Sequence, residues 1–416
     1  MTGLGARNIR ATVRAQLCVS AGLSTSDRRS RRRAAIGVVS LASLVALSLM
    51  PMTASAAAGW VIQPTPAGTP DGNLYGVSCT SASACTAVGA FISGPYSRPL
   101  AESWNGAAWS IQPTSLPKGA LNTELYGVSC PTVDACIAVG QYGTKTGGAP
   151  LVEAWNGRSW NLQVAPNPAG AQGSVFGAVS CSSAASCTAV GYSYYASGSA
   201  EPSLAESWNG TAWSIQSTAN PTPNSYLSAV SCSSPSVCLA IGNYDTGAGG
   251  SMPLAETWDG SHWALGSIPS PAGVRRTYLD GLSCSSPSTC TAVGMYYKSS
   301  TVLAPLAETW DGSRWTIGVT PNPSATYGSG LERVSCPSVT ACTATGLSYI
   351  NSTGDSVSLV ETWNGRTWAV RRTPNPAGAT GGTILFGISC TSITTCTAVG
   401  DFYRGGSGAT LVERHS

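Results

Sequence analysis

Seven cysteine pairs recur along the chain at nearly constant intervals, and within every pair five residues separate the two members. The pairs are Cys79 and Cys85, Cys130 and Cys136, Cys181 and Cys187, Cys232 and Cys238, Cys284 and Cys290, Cys336 and Cys342, and Cys390 and Cys396. Their leading members step by 51, 51, 51, 52, 52 and 54 residues. A period in this range marks a repeat architecture, in which each unit buries its apolar face only against its neighbours.

The first 56 residues read as an export signal. A basic cluster (Arg28, Arg29, Arg31, Arg32, Arg33) precedes an uncharged run, Ala34 to Met50, and small residues follow at Thr53 to Ala56. This order fits a cleaved secretory peptide better than a membrane span, because the apolar run is broken by Gly37, Ser40, Ser43 and Ser48. Eight of the 22 basic residues and one of the 19 acidic residues precede residue 57, which leaves 14 and 18 and a net charge of −4. The remaining chain therefore lacks the basic footprint of a nucleic-acid or anionic-lipid binder. The same boundary removes Cys18 and leaves 14 cysteines, the even number expected of local disulfides in an exported protein. No zinc spacing matches, and only His262 and His415 could supplement the thiolates, so neither a metal nor another cofactor is implied.

Residues 74–89, LYGVSCTSASACTAVG, show how one unit folds. Two short apolar runs flank a small-residue tip, and the disulfide ties the runs together as strands A and B. After a variable Gly/Ser/Pro loop comes LAESWNGAAWSIQ, residues 100–112. Asn-Gly or Asp-Gly between two aromatic-rich runs predicts a two-residue hairpin turn joining strands C and D. In that register Glu102 would lie opposite Trp109, with Trp104 on the same face. The Glu/Trp/Trp triplet recurs in the next five units, and the tryptophans are expected to fill the space between units while each Glu accepts buried donors such as an indole N–H.

Each unit is thus a four-stranded antiparallel meander, and seven of them around an axis make an all-β, seven-bladed β-propeller. The repeats begin near residues 74, 125, 176, 227, 279, 331 and 385, and residues 57–416 form the whole propeller. The last unit stops midway through strand C, at LVER (411–414), with no Asn-Gly and no closing tryptophan, while WVIQP (60–64) supplies an unpartnered strand D. Adding it to the last blade closes the ring and removes two open sheet edges.

The order apolar hairpin, Ala-Val-Gly, Leu-Ala-Glu-x-Trp-(Asn/Asp)-Gly-x-x-Trp resembles kelch-type propeller repeats across the chain beyond the signal. It departs from them in having one glycine after strand B instead of two, followed by Ala90, Gln141, Tyr192, Asn243, Met295, Leu347 or Asp401. Residues 257–263, TWDGSHW, also resemble the Asp-box of sialidase propellers, one residue short. Both resemblances imply a blade fold and carry no activity with them.

Function is sought where the repeats differ. The B–C and D–A loops vary most and share one face, and the B–C loops bring aromatics such as Tyr142, Tyr244 and Tyr296. Four residues before each leading cysteine, on the strand expected nearest the axis, stand Tyr75, Tyr126, Gly177, Ser228, Asp280, Glu332 and Phe386. The following position is small in six units and is Arg333 in the sixth. Asp280, Glu332 and Arg333 are therefore expected together at the mouth of a central funnel. The reading is a secreted monomer that binds a glycan, a cell-wall polymer or a protein on this face and carries out no catalysis. The alternatives are a carbohydrate-active enzyme using Asp280 and Glu332, since two acids are the minimum for glycoside hydrolysis, or a surface-coat or spacer protein.

Overall fold

In a computed structural model, residues 59–66, 69, 71–196, 200–299, 301–323 and 327–416 are described. The export signal proposed for residues 1–56 lies outside them. Every regular element of length is a β-strand, and the strands form repeated four-stranded antiparallel blades. In the first blade strand A is Asn73–Ser81, B is Ala84–Ser93, C is Tyr96–Trp104 and D is Trp109–Gln112. The same order fills residues 122–163, 173–216, 225–266, 277–318 and 328–371. One parallel bridge, Leu303 to Gly328, links the fifth blade to the sixth.

The last blade takes its A, B and C strands from Thr383–Cys390, Cys396–Arg404 and Ser407–His415. Its outer strand is Trp60–Gln63, paired antiparallel with the C strand from Trp60↔His415 to Gln63↔Val412. Strand A of each blade lies against strand A of the next, and strand A of the seventh lies against that of the first.

The core is a set of small clusters between blades. Seven of them each include the residue just before the variable strand-A position: Leu74, Leu125, Phe176, Leu227, Leu279, Leu331 and Leu385 are fully buried. The junction of the last blade with the first is packed in the same way, because Leu74 shares a cluster with Val399 and Val412 of the seventh blade.

Every predicted cysteine pair forms a disulfide within its own A–B hairpin. Cys79 is bonded to Cys85, Cys130 to Cys136, Cys181 to Cys187 and Cys232 to Cys238. Cys284 is bonded to Cys290, Cys336 to Cys342 and Cys390 to Cys396. The two members of a pair differ in setting. The strand-B members, Cys85, Cys136, Cys187, Cys238, Cys290, Cys342 and Cys396, are buried at 1–4% exposure, whereas the strand-A members are half-buried. Each strand-B sulfur therefore packs into a blade core and offers no surface to a ligand, so these fourteen cysteines are structural.

A second device joins the blades at the same level. The serine before each leading cysteine accepts a hydrogen bond from the leading-cysteine N–H of the next blade. The donor–acceptor pairs run Cys130 to Ser78 (3.1 Å), Cys181 to Ser129 (3.0 Å), Cys232 to Ser180 (2.9 Å) and Cys284 to Ser231 (3.3 Å). They continue through Cys336 to Ser283 and Cys390 to Ser335, both at 3.0 Å. Cys79 N–H then donates to Ser389 Oγ at 3.0 Å, across 310 residues of sequence. An amide that would otherwise be an orphan at a blade junction is satisfied in all seven places.

The C–D connection differs from the predicted two-residue turn. Trp104 pairs with Trp109, so four residues form the loop, and Glu102 faces Ile111 instead of Trp109. Asn105 Oδ1 accepts the N–H groups of Ala107 and Ala108, both at 2.9 Å, while only Gly106 takes positive φ, +93°. The asparagine thus serves by side-chain capping and not by a left-handed backbone. Its aspartate counterparts, such as Asp259 accepting from Ser261 and His262 at 2.8 Å, do the same.

Candidate functional site

Strand A carries a β-bulge at the same place in every blade. The register slips between Leu74 and Gly76, Leu125 and Gly127, Phe176 and Ala178, and Leu227 and Ala229. It slips again between Leu279 and Gly281, Leu331 and Arg333, and Leu385 and Gly387. The extra residue is in each case the variable one: Tyr75, Tyr126, Gly177, Ser228, Asp280, Glu332 or Phe386. A bulged residue has no opposite number on the partner strand, so its side chain is released from the ladder and re-aimed. The bulge also explains the glycine closing each Ala-Val-Gly. A Cβ on Gly89 would overlap the Asn73 carbonyl of the kinked strand, and one on Gly140 that of Glu124.

Five of the seven bulged positions form two arcs, separated on one side by the small Gly177 and Ser228. The aromatic arc joins blades seven, one and two: the Tyr75 ring lies 5.4 Å from Phe386 and 5.6 Å from Tyr126. Tyr126 is buried, donates its hydroxyl to Glu124 and accepts from Gln141 Nε2 at 2.8 Å. Burial first, and Glu124 second, push its phenol well above the ordinary range.

The charged arc lies on blades five and six. Arg333 Nη1 donates to the main-chain carbonyls of Asp280 and Glu332, the latter at 3.0 Å. Desolvation pulls the guanidinium down, opposed by the carboxylates of Asp280 and Glu332. Glu332 is 8% exposed and Asp280 is half-buried. The small residue that follows the bulge in every blade but the sixth is set by contact between A strands. A Cβ on Gly281 would lie 2.6 Å from the Arg333 Cα.

The three loop tyrosines named from sequence are half-buried and lean on blade cores: Tyr142 on the second, Tyr244 on the fourth and Tyr296 on the fifth. Phe91 and Phe402 do the same in the first and seventh. They cap blades, and none belongs to either arc.

Two tyrosines that sequence reasoning left unassigned do join the loop face. Tyr226 donates its hydroxyl to Glu201 Oε2 at 2.6 Å, and its ring lies 5.3 Å from Tyr192. Tyr278, two residues before Asp280, lines a cleft between blades four and five. The signal was present, since both sit two residues before the bulged position, but a single tyrosine per blade carries no periodic contrast.

The Glu/Trp/Trp triplets are structural. The D-strand tryptophans from Trp109 to Trp368 are 3–6% exposed, and each packs against its C-strand partner with ring centroids 5.6–5.8 Å apart. The indole N–H does not go to the glutamate. Trp160, Trp213 and Trp263 donate instead to the D-strand glutamine of the preceding blade, Gln112, Gln163 and Gln216, at 2.9, 2.7 and 3.0 Å. The glutamates are completely buried in all seven blades. Burial pushes Glu102, Glu153 and Glu256 up to about 7, and Glu206, Glu308, Glu361 and Glu413 up to about 8. Linker amides of Ser115 and Ala219 donate to Glu153 and Glu256 at 2.9 Å and hold part of that rise down.

Among the described residues no group of three or more His, Cys, Asp or Glu side chains converges as a metal site, and no helix is long and apolar enough to cross a membrane.

The fold class these features define is the β-propeller, and solved propellers are what the chain resembles in three dimensions. YCF48 bound to D1 peptide aligns with a TM-score of 0.51 at 11% identity, over 86% of this chain and 96% of that one. YCF48 from Cyanidioschyzon merolae gives 0.49 at 12% identity, over 86% and 98%. A polysaccharide lyase, an ulvan lyase, gives 0.49 at 9% identity, over 72% and 82%. No family model and no curated relative matches the sequence.

Proposed function

We propose that residues 57–416 form a seven-bladed propeller closed by its N-terminal strand, exported behind a cleaved signal, and acting as a monomeric, non-enzymatic binding module of kelch-like descent. Its ligand is a polymer held at the mouth of the axis on the variable-loop face, and a glycan or cell-wall polymer fits better than a protein. The observation that carries this reading is the split ring of bulged residues. The blades could share one residue there, as they do at the serine and cysteine positions, yet the ring carries contiguous aromatics on one side, with Tyr75 half-buried between the buried Tyr126 and Phe386, and Asp280 and Glu332, next to Arg333, on the other. The half-buried Tyr75 and Asp280 across one mouth suit a sugar polymer, whose ring faces stack on aromatics and whose hydroxyls need acceptors. Seven disulfides fit an oxidising compartment. That a propeller of similar fold was solved with a peptide bound is compatible with a binding role and identifies no ligand here.

Asp280 and Glu332 on adjacent blades keep a second reading in view, a carbohydrate-active enzyme. One experiment separates the two. The oxidised protein is melted against oligosaccharides and cell-wall fragments, where a ligand at 100 times its Kd adds about 2.7 kcal/mol of stability. Binding that weakens in Asp280→Asn with no product formed by the parent supports the module. Product formed by the parent and abolished in Asp280→Asn establishes the enzyme, and a flat panel overturns the glycan reading in favour of a protein partner or a coat role.

A further inference from the structure

We propose that the cleft between blades four and five seats a neutral sugar segment, an inference that deepens the glycan reading above and rests on it. The cleft encloses about 560 Å³, inside the range of roughly 300–1,000 Å³ occupied by small-molecule sites. Its walls come from three separate stretches: Thr222 and Asn224 before blade four, the paired ends of that blade's B and C strands (Asp245 and Thr246 on B, Ser251 on C), and Tyr278 on strand A of blade five.

These walls are held in place from both blades. Asp245 N–H donates to the Asn224 carbonyl at 3.0 Å, and Ser251 N–H donates to the Arg275 carbonyl at 2.9 Å. Arg276 Nε donates to the Gly249 carbonyl at 2.8 Å while its guanidinium sits 5.6 Å from the Tyr297 ring centre. Asn243 Nδ2 donates to Ser251 Oγ at 3.0 Å. The B–C turn of blade four keeps three successive residues in the left-handed region, Gly247 (φ 76°), Ala248 (φ 47°) and Gly249 (φ 73°). Ala248 is one of two non-glycine residues there among the described residues. Such strain persists where surrounding contacts over-determine a loop, and it gathers at ligand clamps.

The chemistry of the lining selects a ligand class. One flat aromatic face stands among three aliphatic hydroxyls, one amide and one carboxylate. Beside the ring the charges are of both signs: Asp245, itself held above its ordinary range by burial and then by Glu201, and Arg276 act on Tyr278 in opposite directions. A purely apolar ligand would strand the hydroxyls and the carboxylate. A pyranose offers a C–H face for Tyr278 and vicinal hydroxyls for Asp245, Asn224 and Ser251. Because Tyr278 precedes Asp280 by two residues on one strand, an oligosaccharide lying in the cleft reaches the charged arc at the axis.

The test is isothermal titration of the oxidised protein with neutral tetrasaccharides of glucose, galactose and mannose, with oligo-uronates and amino-sugar oligomers as charged controls. A neutral oligosaccharide is expected to bind, and Tyr278→Ala and Asp245→Asn are each expected to weaken it at least tenfold. Melting curves confirm that both variants fold, and Thr246→Val provides a milder third probe. If binding is lost only in Asp280→Asn/Glu332→Gln and is untouched by the cleft variants, the cleft inference falls while loop-face binding stands. If the cleft variants respond only to charged oligomers, the neutral class is wrong. If no sugar binds at all, the glycan reading itself falls and takes this inference with it.

Discussion

The two faces of this molecule are built from the same seven repeats and treat repetition in opposite ways. At the hairpin tips all seven blades carry the same serine and the same disulfide, and each amide-to-serine link is made at 2.9–3.3 Å. At the loop face the bulge recurs just as faithfully, yet the residue it displays is aromatic in three blades, acidic in two and small in two. The backbone device is therefore constant and its side chain is open to choice. A bulge costs a blade little whichever residue it carries, because that residue stands opposite no position of the neighbouring strand. Sameness on one face reports stability, and difference on the other is where the proposed binding is placed.

Reduction should break this contrast most visibly. Each disulfide closes a short loop, and chain entropy assigns it about 2 kcal/mol. Full reduction is expected to lower Tm on the order of 10 °C or more, whereas removing a single pair, Cys79→Ala/Cys85→Ala, leaves a folded protein. Calorimetry with and without reductant checks both, and an unchanged Tm on full reduction would deny the tips their stabilising role.

The buried glutamates set the next effect and its sign. Their carboxyls hold protons up to about 7 or 8 in the folded protein, against an ordinary value of 4.5. The unfolded chain loses those protons first, so stability is complete below about 4.5 and drains away as pH rises through 7 and 8. Denaturant melts between pH 5 and 8.5 should show the fall. Glu308, which sits between Ala292 and Ile317 in the ladder, offers the sharpest probe: Glu308→Gln should gain on the parent by about 1–3 kcal/mol at pH 8, and a parent curve that rises with pH contradicts the assignment.

Smallest of the three is the serine belt. Ser129→Ala leaves the Cys181 amide without its acceptor and should cost about 1–2 kcal/mol. A bulge substitution such as Ser228→Ala, on the other face, should cost less than that. Equal costs would erase the distinction between the faces.

The strand count, the hairpins and the disulfides were legible in the chain because cysteine spacing and glutamate–tryptophan periodicity are properties of single blades. What escaped were relations between blades and local shifts of register. The four-residue C–D loop is invisible in an Asn-Gly pair, since the asparagine can take left-handed backbone or cap with its side chain. The indole acceptors Gln112, Gln163 and Gln216 lie about fifty residues from their donors, and only three of the D strands that precede another blade carry a glutamine with this bond. The bulge was likewise hidden, although the variable position it governs stood out. That position was found by contrast among aligned repeats, which is why Asp280, Glu332 and Arg333 were expected together, while Tyr278 was passed over.

The pairing of Trp60–Gln63 with the final C strand also bears on the order in which the sheets are completed during folding. Contacts between elements some 350 residues apart form late, because the intervening chain must first be gathered. A chain synthesised from its N-terminus therefore presents the outer strand of the last blade first and its partner last. The early strand must wait, unpaired and flanked by Pro64, through the arrival of six blades. Synthesis and assembly are thus coupled in time, and Ser407–His415 completes a sheet whose outer strand, Trp60–Gln63, is made long before it.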